Sequence, residues 1–173
     1  YILATTLLIF GILLANNLVI ITDSSPVPKI MSRSVHQRDI FLSNTPLHRL
    51  QSLQRGDAVR FITDQGLQDL GFDASLSHIR IIVGLPEETI EIREQQVLIN
   101  GEPLQALSPD LAIGVPANLD LAPTVIPANT YFVMGQNPDY QEPDFAAFVP
   151  RQQIQGQVVW RLFPPQRFGP IGK

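Results

Sequence analysis

The chain has 173 residues, enough for one domain, or for one domain and a membrane anchor. It carries 12 basic and 16 acidic side chains and no cysteine, which excludes disulfide or thiolate chemistry and argues against nucleic acid as a partner. The three histidines, His36, His48 and His78, lack the spacing of metal ligands, so we expect no metal and no cofactor.

Residues 1–22 contain no Asp, Glu, Lys, Arg or Pro. As an α-helix this stretch would be about 33 Å long, enough to cross a hydrocarbon layer of ~30 Å. It is longer than the ~7–15 apolar residues of a cleaved signal peptide, and no small-residue cleavage site follows it. The pattern predicts a transmembrane helix over residues 1–22, which would contact the lipid bilayer, and a separate domain over residues 23–173.

Short apolar alternations broken by Pro and Gly fill this domain and predict a mostly β fold with a coiled or folded-over sheet. The predicted strands lie near residues 40–42, 58–62, 78–83, 90–92, 97–99, 131–134 and 157–163. Asn100-Gly101 is a turn pair that tolerates positive φ. Residues 106–127 are rich in Pro and Ala without clear periodicity, and we interpret them as a surface excursion.

The strand within Ser77–Pro86 is the most informative one. Its alternation places His78 and Arg80 on one face, where polar side chains could take part in chemistry. We expect Arg80 to reach water or to meet a carboxylate, because an unpaired buried charge costs several kcal/mol. The candidate carboxylates are Asp57, Asp139 and Asp144, and the alternative is a solvent-facing arginine on an edge strand.

Four segments in order resemble the type I signal peptidase family, whose members are membrane-anchored serine endopeptidases. They are RGDAVRF at 55–61, IRIIVGLPEETIEI followed by LINGEPL at 79–104, IPANTYFVMGQN at 126–137, and VPRQQIQGQVVWRLFP at 149–164. The resemblance covers roughly residues 27–171. It implies a signal-peptidase-like coiled β-sheet domain with one N-terminal transmembrane helix, on the extracytoplasmic or lumenal side of a plasma or thylakoid-type membrane.

The family's nucleophile is the serine of a Ser-Met-x-Pro-Thr-Leu motif. Met31 and Asp39 align with this region without a gap, and Ser34 then takes the place of the family's threonine. In this register the nucleophile's position holds Ile30, which has no hydroxyl group. The resemblance therefore implies that the serine is missing.

The family's general base is a lysine four residues before the Gly of Gly-Leu-Pro, and here that position holds Arg80. A guanidinium stays protonated at working pH and cannot accept the serine proton. Other positions that match family motifs are Asp57 and the segment Gly135-Gln136-Asn137, where the family has Gly-Asp-Asn. The Gly-Asp that follows Leu-Pro in the family is replaced by Glu87-Glu88.

Two residues offer an alternative catalytic pair. Ser25 has the serine-to-proline spacing of the motif, although its register needs an insertion of about five residues before Asp39. His78 lies on the same strand face as Arg80, and an imidazole can act as a base. These residues keep open the alternative of an active signal peptidase with a shifted nucleophile.

The main expectation is a non-catalytic member of the family, without enzymatic activity. Such a pseudoenzyme would be a subunit or an assembly and binding factor of a larger membrane complex. Its partners would be other membrane-protein subunits and extended peptides. Residues 126–135 also resemble signal peptidases of oxygenic phototrophs, so a photosynthetic membrane is a candidate host.

Overall fold

The computed structural model shows a mostly β chain, as the sequence predicts. It describes residues 4–7, 11, 18–20, 40–44, 52–62, 65–69, 78–105, 114–135, 145–163 and 165–170. Within these residues the strands form two sheets, and every strand pair is antiparallel.

The strands are short and follow one another closely along the chain. They are β1 (Leu18–Ile20), β2 (Ile40–Asn44), β3 (Ala58–Phe61), β4 (His78–Gly84), β5 (Thr89–Arg93), β6 (Gln96–Ile99), β7 (Glu102–Pro103), β8 (Leu121–Val125), β9 (Thr130–Met134), β10 (Ala146–Pro150), β11 (Ile154–Phe163) and β12 (Gly169–Pro170). The helix α1 spans Gln65–Asp69, and single 3₁₀ turns cover Arg151–Gln153 and Pro165–Arg167. The larger sheet has the order β1-β2-β11-β3-β4-β9-β10, with β12 beside β11, and the smaller sheet has the order β7-β6-β5-β8.

Strand β4 borders two hydrophobic cores because successive side chains point to opposite faces of a strand. Ile82 belongs to the first core and Val83 to the second, and both are fully buried. The first core consists of Leu53, Val59, Phe61, Leu67, Ile82, Tyr131, Val133, Ala147, Val149 and Ile154. The second consists of Val83, Ile90, Ile92, Val97, Ile99, Val115, Ile126, Phe132, Met134 and Phe145. Strand β4 of the larger sheet thus contributes side chains to both cores, and the second core also contains residues of the smaller sheet.

The predicted Asn-Gly turn is confirmed between β6 and β7. Asn100 and Gly101 have φ values of 54° and 84°, a conformation that both residue types tolerate. The Asn100 side chain also accepts a hydrogen bond from the Thr89 N–H at 2.9 Å, which joins the turn to the start of β5.

Glu87, in the turn between β4 and β5, has a φ of 69°, which lies in the left-handed region of backbone conformation that favours glycine. This conformation costs an L-residue about 1 kcal/mol or more. We therefore expect Glu87→Gly to raise the free energy of unfolding by about 1 kcal/mol. Urea titration of the purified chain measures this change. The matched control is Glu102→Gly in the exposed strand β7, which is expected to lower the free energy of unfolding instead. Equal changes in the free energy of unfolding at the two positions would contradict the prediction.

The predicted helix over residues 1–22 is wrong at its C-terminal end. Residues 4–7 and 11 are helical, but Leu18–Ile20 form strand β1, which pairs with β2. Leu, Val and Ile in sequence suit a strand as well as an apolar helix, and pairing with β2 satisfies their backbone groups. Among the described residues, the structure contains no helix long and apolar enough to cross a membrane.

The predicted surface excursion over residues 106–127 is also wrong for much of its length. Residues 106–113 lie outside the described part, but Leu121–Val125 form β8, which pairs with β5. Val115 and Ile126 are buried in the second core. Pro123 argued against a strand in the sequence, because proline has no N–H to donate to a neighbouring strand. It is tolerated here because β8 is an edge strand of the smaller sheet.

Candidate functional site

His78 and Arg80 share one face of β4, as the alternation predicts. Their partners across β3 are Phe61 and Val59, both members of the first core. The two polar residues are only 9% and 7% exposed. Because β4 lies between β3 and β9, the hypothesis of a solvent-facing Arg80 on an edge strand is wrong.

The Arg80 guanidinium is held close to its own strand. Its Nη1 donates a hydrogen bond of 3.0 Å to the carbonyl of Ile79. Of the predicted carboxylate partners, Asp139 and Asp144 lie outside the described residues, and Asp57 accepts a hydrogen bond from Gln54 N–H at 2.8 Å. A carboxylate beside Arg80 therefore stays a prediction. What the geometry does establish is a permanent cation, unable to accept a proton, on a buried strand face.

The His78 imidazole lies against the ring of Phe61. The two ring centroids are 5.7 Å apart and the ring planes are inclined by 29°, so the rings are stacked. Unlike a guanidinium, a neutral imidazole has a nitrogen that can accept a proton, so His78 is the candidate base on this face. The packing on Phe61 fixes the plane of the ring.

A second charged residue lies on the next strand but on the opposite face. Arg60 neighbours Ile79 of β4 and Gly156 of β11. Burial lowers the pKa of the Arg60 guanidinium, which nevertheless stays charged at working pH. Within the part of the chain that the structure describes, no group of His, Asp and Glu side chains is arranged to hold a metal ion.

A pair of charged residues that the sequence interpretation overlooked ties β4 to its neighbours. Arg55 Nη2 is 2.6 Å from Glu88 Oε1, and its Nη1 donates to the carbonyl of Val83. The second Glu88 oxygen accepts the Leu85 N–H at 2.7 Å. The acid after Leu-Pro and the arginine before Gly-Asp were the sequence signals for this contact. It anchors the C-terminal end of β4, the strand that presents His78 and Arg80.

The remaining predicted site residues are only partly placed. Gly135 directly follows β9, whose Met134 pairs with Ile81 next to Arg80. Its N–H donates to the Phe145 carbonyl at 2.7 Å, and a Cβ atom there would meet the Phe145 ring at 3.1 Å. The other predicted positions lie outside the described residues: Ser25, Ile30, Met31, Ser34, Gln136 and Asn137. The structure thus describes His78 and Arg80 but neither of the two candidate nucleophile positions, Ser25 and Ile30.

Comparison with known proteins identifies relatives of this chain. A signal peptidase I of Leptolyngbya laminosa is 32% identical over 120 residues, which are 69% of this chain and 57% of the relative. A probable signal peptidase I-1 of Synechocystis is 29% identical over 143 residues, 82% of this chain and 71% of the relative. The chain therefore spans little more than half the length of the Leptolyngbya protein.

Among solved structures, a signal peptidase I from Enterococcus faecalis V583 covers 62% of this chain and 97% of its own, at 21% identity and a TM-score of 0.43. The family model described as signal peptidase, peptidase S26, matches residues 1–163. This match extends over far more than half of the sequence and includes strand β4, which carries His78 and Arg80, and strand β9, which Gly135 follows. The chain belongs to the signal peptidase S26 family.

Proposed function

We propose that this chain acts on signal peptides, as the names of its relatives indicate. The observation that supports the proposal is the family match over residues 1–163, supplemented by relatives at 32% and 29% identity that are named signal peptidases. Processing of a signal peptide means hydrolysis of one peptide bond, and this requires a nucleophile and a proton acceptor.

For cleavage, we assign Ser25 as the nucleophile and His78 as the general base. The positions that match the family's own catalytic pair hold Ile30 and Arg80, and neither side chain can do this work. His78 is buried, lies on the same face as Arg80 and is oriented by Phe61. In a site with little water, a neutral imidazole can take the proton of a serine hydroxyl as it attacks the scissile carbonyl.

A second candidate function is binding without cleavage, in a subunit or assembly factor of a larger membrane complex. The specific observation in its favour is that Arg80 is only 7% exposed. The sequence register aligns this residue with the family's lysine. A buried guanidinium binds carboxylates and carbonyls, but it cannot accept a proton. In this form the chain would hold an extended peptide and leave it intact.

Both candidate functions place the domain at a membrane. The apolar residues 1–17 would provide the anchor, with β1 entering the larger sheet. By analogy with the family, the domain would face the extracytoplasmic or lumenal side, where signal peptides emerge. A thylakoid-type membrane is one such host, and the similarity to the Synechocystis and Leptolyngbya proteins supports that choice.

An assay with the purified full chain and a fluorescent signal-peptide substrate separates the two candidate functions. Mass spectrometry identifies any cleavage product, and fluorescence anisotropy measures binding. Cleavage predicts that Ser25→Ala abolishes product and that His78→Gln slows its formation about 10²-fold or more. The rate should also fall on acidification, because a protonated imidazole cannot act as a base.

The control Ser52→Ala changes an exposed serine outside the candidate site and should keep the native rate. Binding without any product would reject cleavage and support the second candidate. Absence of both binding and product would contradict both.

A further inference from the structure

Strand β8 is an edge of the smaller sheet. Among the described residues it pairs with β5 on one side and with no strand on the other. Residues 121–127 carry no charged side chain, and Ala122, Pro123 and Val125 are exposed. The row of backbone N–H and C=O groups along an apolar edge is a template to which another strand can add. An edge of this kind leads to association unless its backbone groups are removed or occupied.

The hydrogen bonds of Ile126 show which way the β8 backbone faces. Ile126 N–H donates to the Glu88 carbonyl at 2.8 Å, and the Ile126 carbonyl accepts the Glu87 N–H at 2.9 Å. Both backbone groups of Ile126 therefore point towards the segment that leads into β5. Because successive residues of a strand direct these groups to alternate sides, Thr124 also faces β5, where it pairs with Ile90.

The same alternation directs the backbone of Pro123, Val125 and Pro127 to the open side of β8. Two of these three residues are proline, which has no N–H to offer to an added strand. The Pro127 carbonyl already accepts the Thr130 N–H at 3.1 Å. Val125 is therefore the one residue of the three that presents both a donor and an acceptor at this edge.

Strand β7, the opposite edge of the smaller sheet, has the same arrangement. Leu104 N–H donates to the Val97 carbonyl of β6 at 2.8 Å, so the preceding residue, Pro103, directs its backbone to the open side. Pro103, Pro123 and Pro127 thus stand where the sheet itself needs no N–H. Prolines in these positions leave the sheet intact and discourage edge-to-edge association.

We propose that Pro123 and Pro127 close the β8 edge against the β8 strand of a second copy of this chain. A two-fold antiparallel pairing centred on residue 123 would set the two Pro123 residues opposite each other, and both hydrogen bonds of that central pair would be missing. A register shifted by two residues sets Pro123 against Val125, and each such pair lacks one bond. The proposal concerns the smaller sheet and holds whether or not the chain cleaves peptides, so it goes beyond the proposed function.

A spin label at residue 125 reports on β8 directly, because the chain has no cysteine and Val125 is 64% exposed. The label is attached to Val125→Cys in the full chain in detergent, with and without the double substitution Pro123→Val, Pro127→Val. Dipolar line broadening arises only when two labels lie close together, as they would across paired β8 strands. We expect none with both prolines present. In the double variant the broadening should grow with protein concentration, and the dimer dissociation constant should be about tenfold or more lower, because the centred pairing regains two hydrogen bonds.

The matched control Ala122→Val adds a valine to the same strand but keeps both prolines, so it should show no broadening. Broadening with both prolines present, or equal broadening in the control and the double variant, would overturn the proposal. A double variant that is folded by circular dichroism and shows no broadening would overturn it as well, even if the chain associates elsewhere. If the double variant is unfolded, the single variant Pro123→Val, which restores one N–H and keeps Pro127, decides the same comparison.

Discussion

The double variant Ile30→Ser, Arg80→Lys is expected to cleave a signal-peptide substrate about 10²-fold or more faster than the native chain. The two changes supply the hydroxyl nucleophile and the amine base that the family uses. The site around residue 80 favours the reaction because Arg80 is 7% exposed. Burial of an ammonium group lowers its pKa, so a fraction of the introduced lysine would be neutral and able to accept a proton. Product formation by the full chain under single-turnover conditions measures the gain.

The single variants should gain much less, because a nucleophile and its base act as a unit and neither works without the other. A matched control combines Ile30→Ser with Arg93→Lys, since the Arg93 side chain is 63% exposed and lies on β5. A lysine there stays in water and keeps its proton. A double variant no faster than the native chain would show that Ile30 or Arg80 does not occupy the catalytic position that the sequence register assigns.

The sequence was most informative where apolar residues alternate clearly. The period of two in β4 identified the strand, placed His78 and Arg80 on one face, and did not depend on distant contacts. The Asn100-Gly101 turn was equally clear from the sequence, since few residue pairs tolerate positive φ at both positions. These local rules sufficed for a mostly β fold.

Tertiary pairing decided the parts that the sequence could not. Leu18–Ile20 are as apolar as the residues before them, and only the partner strand β2 makes them a strand. Likewise, β8 contains Ala122 and Pro123, and its identity depends on pairing with β5. The burial of Arg80 was also missed, because its cross-strand partner Val59 comes from β3, about twenty residues earlier in the sequence. A strand pattern shows which face a residue takes, but not what covers that face.

The packing of the candidate site on the first core leads to the second large expected effect. Phe61 is fully buried, belongs to the first core and stacks on His78. We expect Phe61→Ala to lower the free energy of unfolding by about 3–5 kcal/mol, because it removes buried apolar surface and leaves a cavity. A typical domain is stable by only about 5–15 kcal/mol, so this loss would be a large share of the total. Urea unfolding followed by circular dichroism measures it.

The neighbouring residue provides the control, because Ile62 directly follows β3 and its side chain is 43% exposed. Ile62→Ala also removes an apolar side chain, but from a position in contact with water. It should therefore lower the free energy of unfolding by less than about 1 kcal/mol. Equal costs at the two positions would show that Phe61 does not anchor the first core. If Phe61→Ala is costly, the cavity would also release the His78 ring that Phe61 holds, and the conservative variant Phe61→Leu should keep more of the stability and of any activity that depends on His78.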